Sequence, residues 1–323
     1  MSDHMKRLSL SIDAFFDSDQ FLAAFFIPYS SQLGDEEVAE RALDKDIFEE
    51  NVMTPNPGSQ PLSMLQALKV RTASFDDIKA AFSAGLKDFS RRPLLSMFFG
   101  LVYGAFGIIL LLGFLVFDSI WMTLPAAVGF PLVAPFVAVG LYEMSRRMKK
   151  GEEFSWKDIF LVIFRQQQRE FGWMSFVVLF VFWIWIYQAR LLLALFLQWQ
   201  SFSSLDNFID VITTTQNGIL FICIGTLVGA VLATVLFSLT VISMPLLLDK
   251  DIDFISAMIL SVKTVHTSPF VMLSWGAMIA IMVFLALAPA FIGIIFVLPI
   301  LGHVTWHLYQ RLIDDSALAE IKS

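Results

Sequence analysis

Two histidines late in the chain have the spacing best suited to metal or haem binding. His303 and His307 are four residues apart, so both imidazoles project from the same face of a helix. Imidazole nitrogens bind transition metals and haem iron. An oxidase-type haem core, however, takes histidines from several helices, and only His266 lies nearby in the sequence. We therefore expect the pair to hydrogen-bond to headgroups or neighbouring carbonyls and expect no cofactor, with a haem or metal site as the alternative.

Arg190 is the one basic residue inside a long apolar run and is the second candidate. A charge within a membrane span is costly enough to suggest a function. Arg190 lies about seven residues from the end of its run, however, so its long side chain can extend to the membrane surface. Pairing with Asp206 or Asp210, or this extension, is the simpler interpretation. Binding of an anion or of a lipid phosphate is the alternative.

Charged residues also cluster at the ends of two apolar runs. They are Glu143, Arg146, Asp249, Asp251 and Asp253. Opposite charges at these positions can lock two helices together, or they can form a polar mouth for a substrate. We expect salt bridges between helix ends, with the polar mouth as the alternative. The basic run 146–150 can also contact anionic lipids.

The residue patterns of common enzyme active sites are absent from the sequence. There is no HExxH pair, no nucleotide-binding glycine loop and no catalytic cysteine with a histidine partner. No acidic residue lies in the middle of an apolar run, and Cys223 is the only cysteine. An internal disulfide and a cysteine-based metal site are thereby excluded. We therefore expect no catalytic residues.

The composition is typical of a membrane protein. Apolar residues make up 57% of the 323 residues and charged residues 16%, against about 25% charged residues in soluble domains. The net charge of −7 comes from residues 1–69, which hold twelve acidic and five basic residues, while the remainder is balanced. We expect the lipid bilayer to be the main partner, and we expect no nucleic-acid binding.

Six apolar runs are long enough to cross a membrane, which takes about 20 residues of helix. They cover residues 94–117, 121–142, 171–197, 218–246, 268–287 and 290–309. The sequence therefore predicts an all-α, polytopic membrane domain over residues 70–312. An acidic, partly disordered cytoplasmic tail over 1–69 is expected before it, and a short cytoplasmic tail over 313–323 after it.

The basic residues outside these runs all fall on one side of the membrane if the six runs cross it in turn. They precede the first run, connect the second to the third and the fourth to the fifth, and follow the sixth. The opposite loops, at residues 118–120, 198–217 and 287–290, contain no lysine or arginine. The positive-inside rule therefore predicts that both termini are cytoplasmic.

Three segments that precede the odd-numbered runs share a helix-start pattern. Ser74 and Asp77 are three residues apart, as are Ser155 and Asp158, which is the spacing of a capping box, and Asp253 is a simple cap. Apolar residues recur behind each cap at helical spacing. The first such set is Phe75, Ile78, Phe82 and Leu86. We predict three amphipathic helices on the inner leaflet, and hence three similar units of interfacial helix and hairpin.

Five strings carry a resemblance to a known family. They are AGLKDFSRRP at 84–93, GFPLVAPFVAVGLYEMSRRMKKGE at 129–152, QARLLLALFL at 188–197, SMPLLLDKDID at 243–253 and VLPILGHVTWHLYQR at 297–311. In this order they resemble an uncharacterised family of bacterial integral membrane proteins that is sometimes labelled as similar to cytochrome c oxidase subunit I. The resemblance implies a fold and a bacterial inner-membrane location, but no activity. The oxidase label does not follow from the histidines present.

Three functional interpretations are open from the sequence. The first is a non-catalytic accessory or assembly partner of other inner-membrane proteins, because few polar groups lie within the spans. The second is a transporter of small molecules or lipids, which the repeats and Arg190 would suit. The third is a haem or metal protein that uses His303 and His307.

Overall fold

The fold is almost entirely α-helical, as predicted. A computed structural model describes residues 68–117, 137–167, 170–197, 205–289 and 291–316. The predicted acidic tail up to residue 67, most of the predicted second span and the last residues of the predicted C-terminal tail lie outside these ranges. The helices are α1 (Phe75–Arg91), α2 (Pro93–Phe117), α3 (137–150), α4 (Trp156–Gln167), α5 (Glu170–Leu197), α6 (Leu205–Thr214), α7 (Gln216–Thr240), α8 (Ser243–Asp249), α9 (Phe254–Thr267), α10 (Pro269–Leu287) and α11 (Ile294–Leu312).

A two-stranded antiparallel ribbon joins the start of this domain to its end. Strand β1 (Lys69–Val70) pairs with β2 (Ile313–Asp314), with Val70 opposite Ile313. The Arg71 backbone N–H extends the pairing by donating to the Leu312 carbonyl oxygen over 2.8 Å. The ribbon therefore holds the segment before α1 against the end of α11.

Several helices have the length and composition of membrane spans. Within the described ranges three qualify alone, namely Glu170–Leu197, Gln216–Asp249 and Pro269–Leu287. A fourth arises if α1 and the first part of α2, which meet at a bend of 100°, count as one. The bounds of α2, α5, α7, α10 and α11 lie close to those of predicted runs, but six crossings remain a prediction.

The predicted caps explain where three helices begin. At α1 the Ser74 hydroxyl accepts from the Asp77 backbone N–H, and the Asp77 carboxylate accepts from the Ser74 backbone N–H, which completes the predicted capping box. Before α4, the Asp158 carboxylate accepts from the Ser155 backbone N–H and hydroxyl, both at 2.7 Å. Asp253 caps α9 by accepting from a backbone N–H in its first turn.

The same backbone break separates α1 from α2 and α9 from α10. Arg92 has φ −138° and ψ 59°, and Ser268 has φ −140° and ψ 63°. A proline follows each one, at Pro93 and Pro269, and starts the next helix. Proline disfavours the helical conformation of the residue before it and suits the first position of a helix. Local sequence therefore causes both breaks.

Helix α11 is the centre of the core and is packed closely by α1, α2 and α3. A Cβ added to Gly85 of α1 would lie 2.6 Å from the backbone nitrogen of Val304, and one added to Gly100 of α2 would lie 2.3 Å from the Ile295 carbonyl oxygen. Trp306 of α11 is fully buried. By contrast, only 11% of the apolar window of α5 and none of that of α7 is buried.

The side of α1 that packs on the protein is distinct from most of the apolar set predicted to lie on the inner leaflet. Phe75 and Leu86 of that set have exposed fractions of 47% and 44%, and their contact with lipid stays a prediction. The face that packs on α11 consists of Ile78, Ala81, Gly85 and Asp88. Small residues let the two backbones approach, so the large apolar side chains of α1 point elsewhere.

Candidate functional site

The candidate site is the end of the helix bundle that carries most of the charged residues. We call it the basic end and define it by Arg91, Arg92, Arg146, Arg147, Lys250 and Arg311. These arginines and the lysine lie where α1 meets α2 and where α3, α8 and α11 end. The histidine pair and most of the predicted charged cluster lie at this end.

His303 is fully buried and joins three helices. Its Nε2 atom lies 3.0 Å from the Ser96 hydroxyl oxygen of α2, and its Nδ1 atom lies 2.7 Å from the Ser145 hydroxyl oxygen of α3. Both ring nitrogens of this α11 residue are therefore hydrogen-bonded. A polar group inside an apolar core needs such partners, because an unpaired one costs free energy.

His307 bonds instead to an acidic residue of α1. Its Nε2 atom lies 2.7 Å from Asp88 Oδ2, and the Asp88 side chain is only 7% exposed. Arg91 adds a longer ion pair to the same carboxylate, at 3.9 Å. The two histidines of the i, i+4 pair thus serve different partners, and together they fix α1 and α2 to α11.

The Asp88 carboxyl is held in its charged form. It lies on α1, which carries six charged residues and is not itself a candidate span. Burial acts to raise the pKa of Asp88, but the hydrogen bond and charge of His307, with smaller contributions from Ser145 and His303, outweigh it. The pKa of Asp88 therefore lies below its usual value. Ser145 therefore contacts both His303 and Asp88. We call Asp88, Ser96, Ser145, His303 and His307 the histidine network.

The two serine hydroxyls have further partners beside His303. The Ser96 hydroxyl lies 3.0 Å from the Arg92 carbonyl oxygen, and the Ser145 hydroxyl also contacts Asp88. A neutral imidazole has one donor and one acceptor nitrogen. Either tautomer of His303 therefore finds a hydrogen-bond partner at both nitrogens.

The described residues offer no complete ligand set for a metal. No group of three histidine, cysteine or acidic side chains within the described ranges is placed to hold one. Both nitrogens of His303 are engaged by serines, and His307 pairs with Asp88. The expectation of no resident cofactor stays a prediction, as does its haem or metal alternative.

Glu143 of α3 is a fully buried carboxylate with two arginine partners on the same helix. It accepts a hydrogen bond from Arg147 Nε over 2.6 Å. Its other oxygen forms an ion pair with Arg146 Nε at 2.8 Å, although the angle falls short of a hydrogen bond. Arg146 Nη1 in turn donates to the Leu248 carbonyl oxygen of α8 over 3.5 Å. Pairing of this kind makes a buried charge tolerable.

The acidic residues after α8 have separate structural partners. The Tyr309 hydroxyl of α11 donates to Asp249 over 2.9 Å. Lys250 lies 3.4 Å from Asp249 and also pairs with Asp315. Asp253 caps α9, and Asp251 is exposed. The structure therefore distributes the members of the predicted cluster among several contacts at helix ends.

Arg190 lies apart from the basic end, on α5. Its side chain is exposed, and no hydrogen bond or ion pair joins it to any residue that the structure describes. Asp210 of α6 is also exposed, and the side chain of Asp206 is outside the described residues. The pairing, extension and ligand-binding interpretations of Arg190 all stay predictions.

A lateral groove of about 300 Å³ lies beside the basic end. Helices α3, α5, α7, α10 and α11, together with the segment leading into α8, line it. We call it the lateral groove. Apolar surface dominates the lining, and its polar side chains are Tyr142, Thr240 and Thr305.

A second surface is a strip of small residues on α7. Gly225, Gly229 and Ala233 recur at intervals of four, and Thr226, Ala230 and Thr234 run beside them. A Cβ on Gly229 would meet nothing within 4 Å, and one on Gly225 would meet only a Leu192 methyl group, at 3.8 Å. We call these six residues the small-residue strip. Among the described residues it is open to a neighbouring helix.

The comparison with known families identifies the central part of the chain. Residues 123–249 match the model of the DUF2189 family, described as a predicted integral membrane protein. The resemblance inferred from the motifs is confirmed over this segment, and the protein is an integral membrane protein. The description names no oxidase. No curated protein and no solved structure matches the chain.

The DUF2189 segment contains only part of the basic end. Glu143, Arg146, Arg190 and Asp249 lie inside it, as do the small-residue strip and most of the lateral groove. The histidine network lies outside it except for Ser145. The matched segment thus contains the charged end of α3, the small-residue strip and most of the lateral groove.

Three members of the histidine network escaped the sequence interpretation. Ser96 and Ser145 are separated from His303 by 207 and 158 residues, and Asp88 is separated from His307 by 219. One sequence feature could have indicated these contacts. Asp88 lies on the side of α1 that carries Ala81 and Gly85. An acidic residue beside small residues on a membrane-protein helix indicates a buried partner.

Proposed function

We propose that the protein is a non-catalytic accessory or assembly partner of a complex in the bacterial inner membrane. A helix of the partner protein packs on the small-residue strip of α7. The observation that carries this proposal is that α7 has an open strip while none of its apolar window is buried. Membrane helices associate where small residues allow their backbones to approach.

The paired charges of the basic end support a structural role. Glu143, Asp88 and Asp249 each have partners within the protein, and the His303 ring is shared between two serines. These contacts fix α1, α2, α3, α8 and α11 to one another. Such a locked core is suited to presenting α5 and α7 to another protein.

The same proposal includes a six-pass topology built from three similar units. Each unit is a capped helix on the inner leaflet followed by a hairpin, and both termini are cytoplasmic. The caps at Ser74, Ser155 and Asp253 support it, as do the matching breaks at Arg92 and Ser268. The positive-inside pattern supports the orientation.

Co-purification with a strip variant tests the accessory role. The tagged full-length protein, extracted from native membranes in mild detergent, should recover one membrane protein reproducibly. Gly229→Leu should lower that recovery at least tenfold, because leucine fills the space that the partner backbone needs. A Cβ at this position meets no atom within 4 Å in the part of the chain that the structure describes, so folding should be preserved, as size-exclusion chromatography can check.

Val231→Leu is the matched control. Val231 is 56% exposed and lies about 200° around α7 from Gly229, so extra bulk there should leave recovery unchanged. Equal recovery with Gly229→Leu and Val231→Leu, or a protein with no reproducible companion, would overturn the proposal.

A further inference from the structure

We propose that the lateral groove binds an acyl chain of an anionic phospholipid, whose phosphate is held by the basic residues at the end of α3. This site is independent of the partner surface, because it uses other residues of α7, such as Phe237 and Thr240. The occupant is a lipid of the inner leaflet.

Two of the three polar residues that line the groove offer it little hydrogen-bonding capacity. The Thr240 hydroxyl donates to the Leu236 carbonyl oxygen over 2.7 Å, and the Thr305 hydroxyl donates to the Leu301 carbonyl oxygen over 2.8 Å. Each threonine is therefore satisfied by its own helix. Tyr142 is the third polar residue, and the rest of the lining is apolar, so the groove suits a hydrocarbon chain better than a polar solute.

The groove leads to a basic cluster. Ala138 and Tyr142 line it, and Arg146 follows at the next i+4 position, on the same face of α3. On the opposite wall Met244 lines the groove, and Leu248, one turn further on α8, accepts from Arg146 Nη1. Arg146 therefore lies at the basic end of the groove, between its two walls.

The charge at this end is complementary to a phosphate. Arg146, Arg147, Lys149 and Lys150 give four positive charges, and the carboxylates that act on Arg147 are Glu143, Asp158 and Glu152, so a positive charge remains. Glu143 engages the Nε atoms of both arginines. The arginine side chains are 26% and 23% exposed. Guanidinium groups bind phosphate oxygens strongly, and basic residues near the inner leaflet attract anionic lipids.

Native mass spectrometry of the full-length protein in detergent tests this site. Phosphatidylglycerol should bind at least tenfold more tightly than phosphatidylcholine, and inorganic phosphate should not compete, because the acyl chain contributes to affinity. Ala138→Phe, which fills the groove, and Arg147→Gln, which removes a phosphate contact, should each weaken phosphatidylglycerol binding about tenfold. Ile279→Phe fills the groove from α10 and replaces Ala138→Phe if that variant does not fold.

Two matched controls separate this site from general attraction to the surface. Lys79→Gln removes a distant, exposed positive charge on α1, and Val231→Phe adds a ring on the exposed face of α7. Both should bind phosphatidylglycerol as the unchanged protein does. Equal binding of the two lipids, competition by inorganic phosphate, or equal effects of Arg147→Gln and Lys79→Gln would overturn the proposal. None of these results depends on co-purification of a partner protein.

Discussion

His303 of α11 contacts both α2 and α3 through its ring nitrogens. Its ring accepts or donates at both nitrogens inside a core where water cannot replace a lost partner. Loss of the ring removes the hydrogen bonds of Ser96 and Ser145 to His303, although Ser96 keeps its bond to the Arg92 carbonyl oxygen, and it opens a cavity between α2, α3 and α11. Unpaired buried polar groups cost about 1–3 kcal/mol each.

His303→Ala should therefore lower the apparent Tm of the detergent-solubilised protein. We expect a loss of about 2–4 kcal/mol in the free energy of unfolding, from the serines and the cavity together. Thermal unfolding followed by tryptophan fluorescence measures it. Lys263→Ala, at an exposed position of α9, is the control. Equal Tm values for the two variants would contradict the role of His303.

Asp88 predicts a pH dependence of stability. Folding lowers the pKa of Asp88 from its usual 3.8, so the ionised carboxyl stabilises the fold above that value. The contribution disappears as the pH falls through the lower, folded pKa. Asp88→Asn should lower the Tm at pH 7 and should flatten the loss of Tm between about pH 5 and about pH 3. Asp76→Asn, at an exposed carboxylate of the same helix, should keep the pH profile of the unchanged protein.

Residue-level chemistry was only partly predictable from the sequence. The i, i+4 histidine spacing showed that the pair shares a helix face, because that is a local property. Its partners could not be inferred, because Ser96 and Ser145 reach His303 only through tertiary packing. The ion pairs of Glu143 with Arg146 and Arg147 were easier to predict from the sequence, because residues three and four apart on a helix are neighbours.

At the scale of elements, the close packing of α1 on α11 has a clear test. Gly85→Ala places a Cβ 2.6 Å from the Val304 backbone, which must shift. Alanine favours helix over glycine by about 1 kcal/mol, but overpacking costs about 1–3 kcal/mol. We therefore expect Gly85→Ala to lower the Tm.

Gly229→Ala supplies the matched comparison for that substitution. It is the same change in a helix, at a position where no atom of the described ranges would lie within 4 Å of the added Cβ. It should leave the Tm unchanged or raise it, because only the helix preference acts. A Gly85→Ala variant as stable as Gly229→Ala would show that the contact between α1 and α11 is looser than the structure describes.

Element boundaries were largely predictable, whereas their packing faces were not. Capping residues, prolines and apolar run lengths act locally, so helix starts and the limits of several predicted spans agree with the structure. The side by which α1 packs on α11 was not predicted, because small residues rather than the large apolar ones make that contact. The contact of Phe75 and Leu86 with the inner leaflet stays a prediction.

At the scale of the whole molecule, the protein divides into a locked end and two open surfaces. The basic end uses its charged and polar groups to join helices, whereas α7 and the lateral groove present apolar surface. Composition and run length predicted the membrane class, because the apolar runs are longer than the core helices of soluble proteins require. The small-residue strip and the groove could be recognised only in the tertiary structure. The strip is defined by the open space beside it, and the groove by the helices that line it.

An experimental density map of the protein extracted from native membranes tests the accessory role most directly. We expect a helix of another protein packed along Gly225, Gly229 and Ala233. The backbones of that helix and of α7 should lie close enough to require small residues. A natively extracted particle that shows only lipid or detergent along this strip would contradict it.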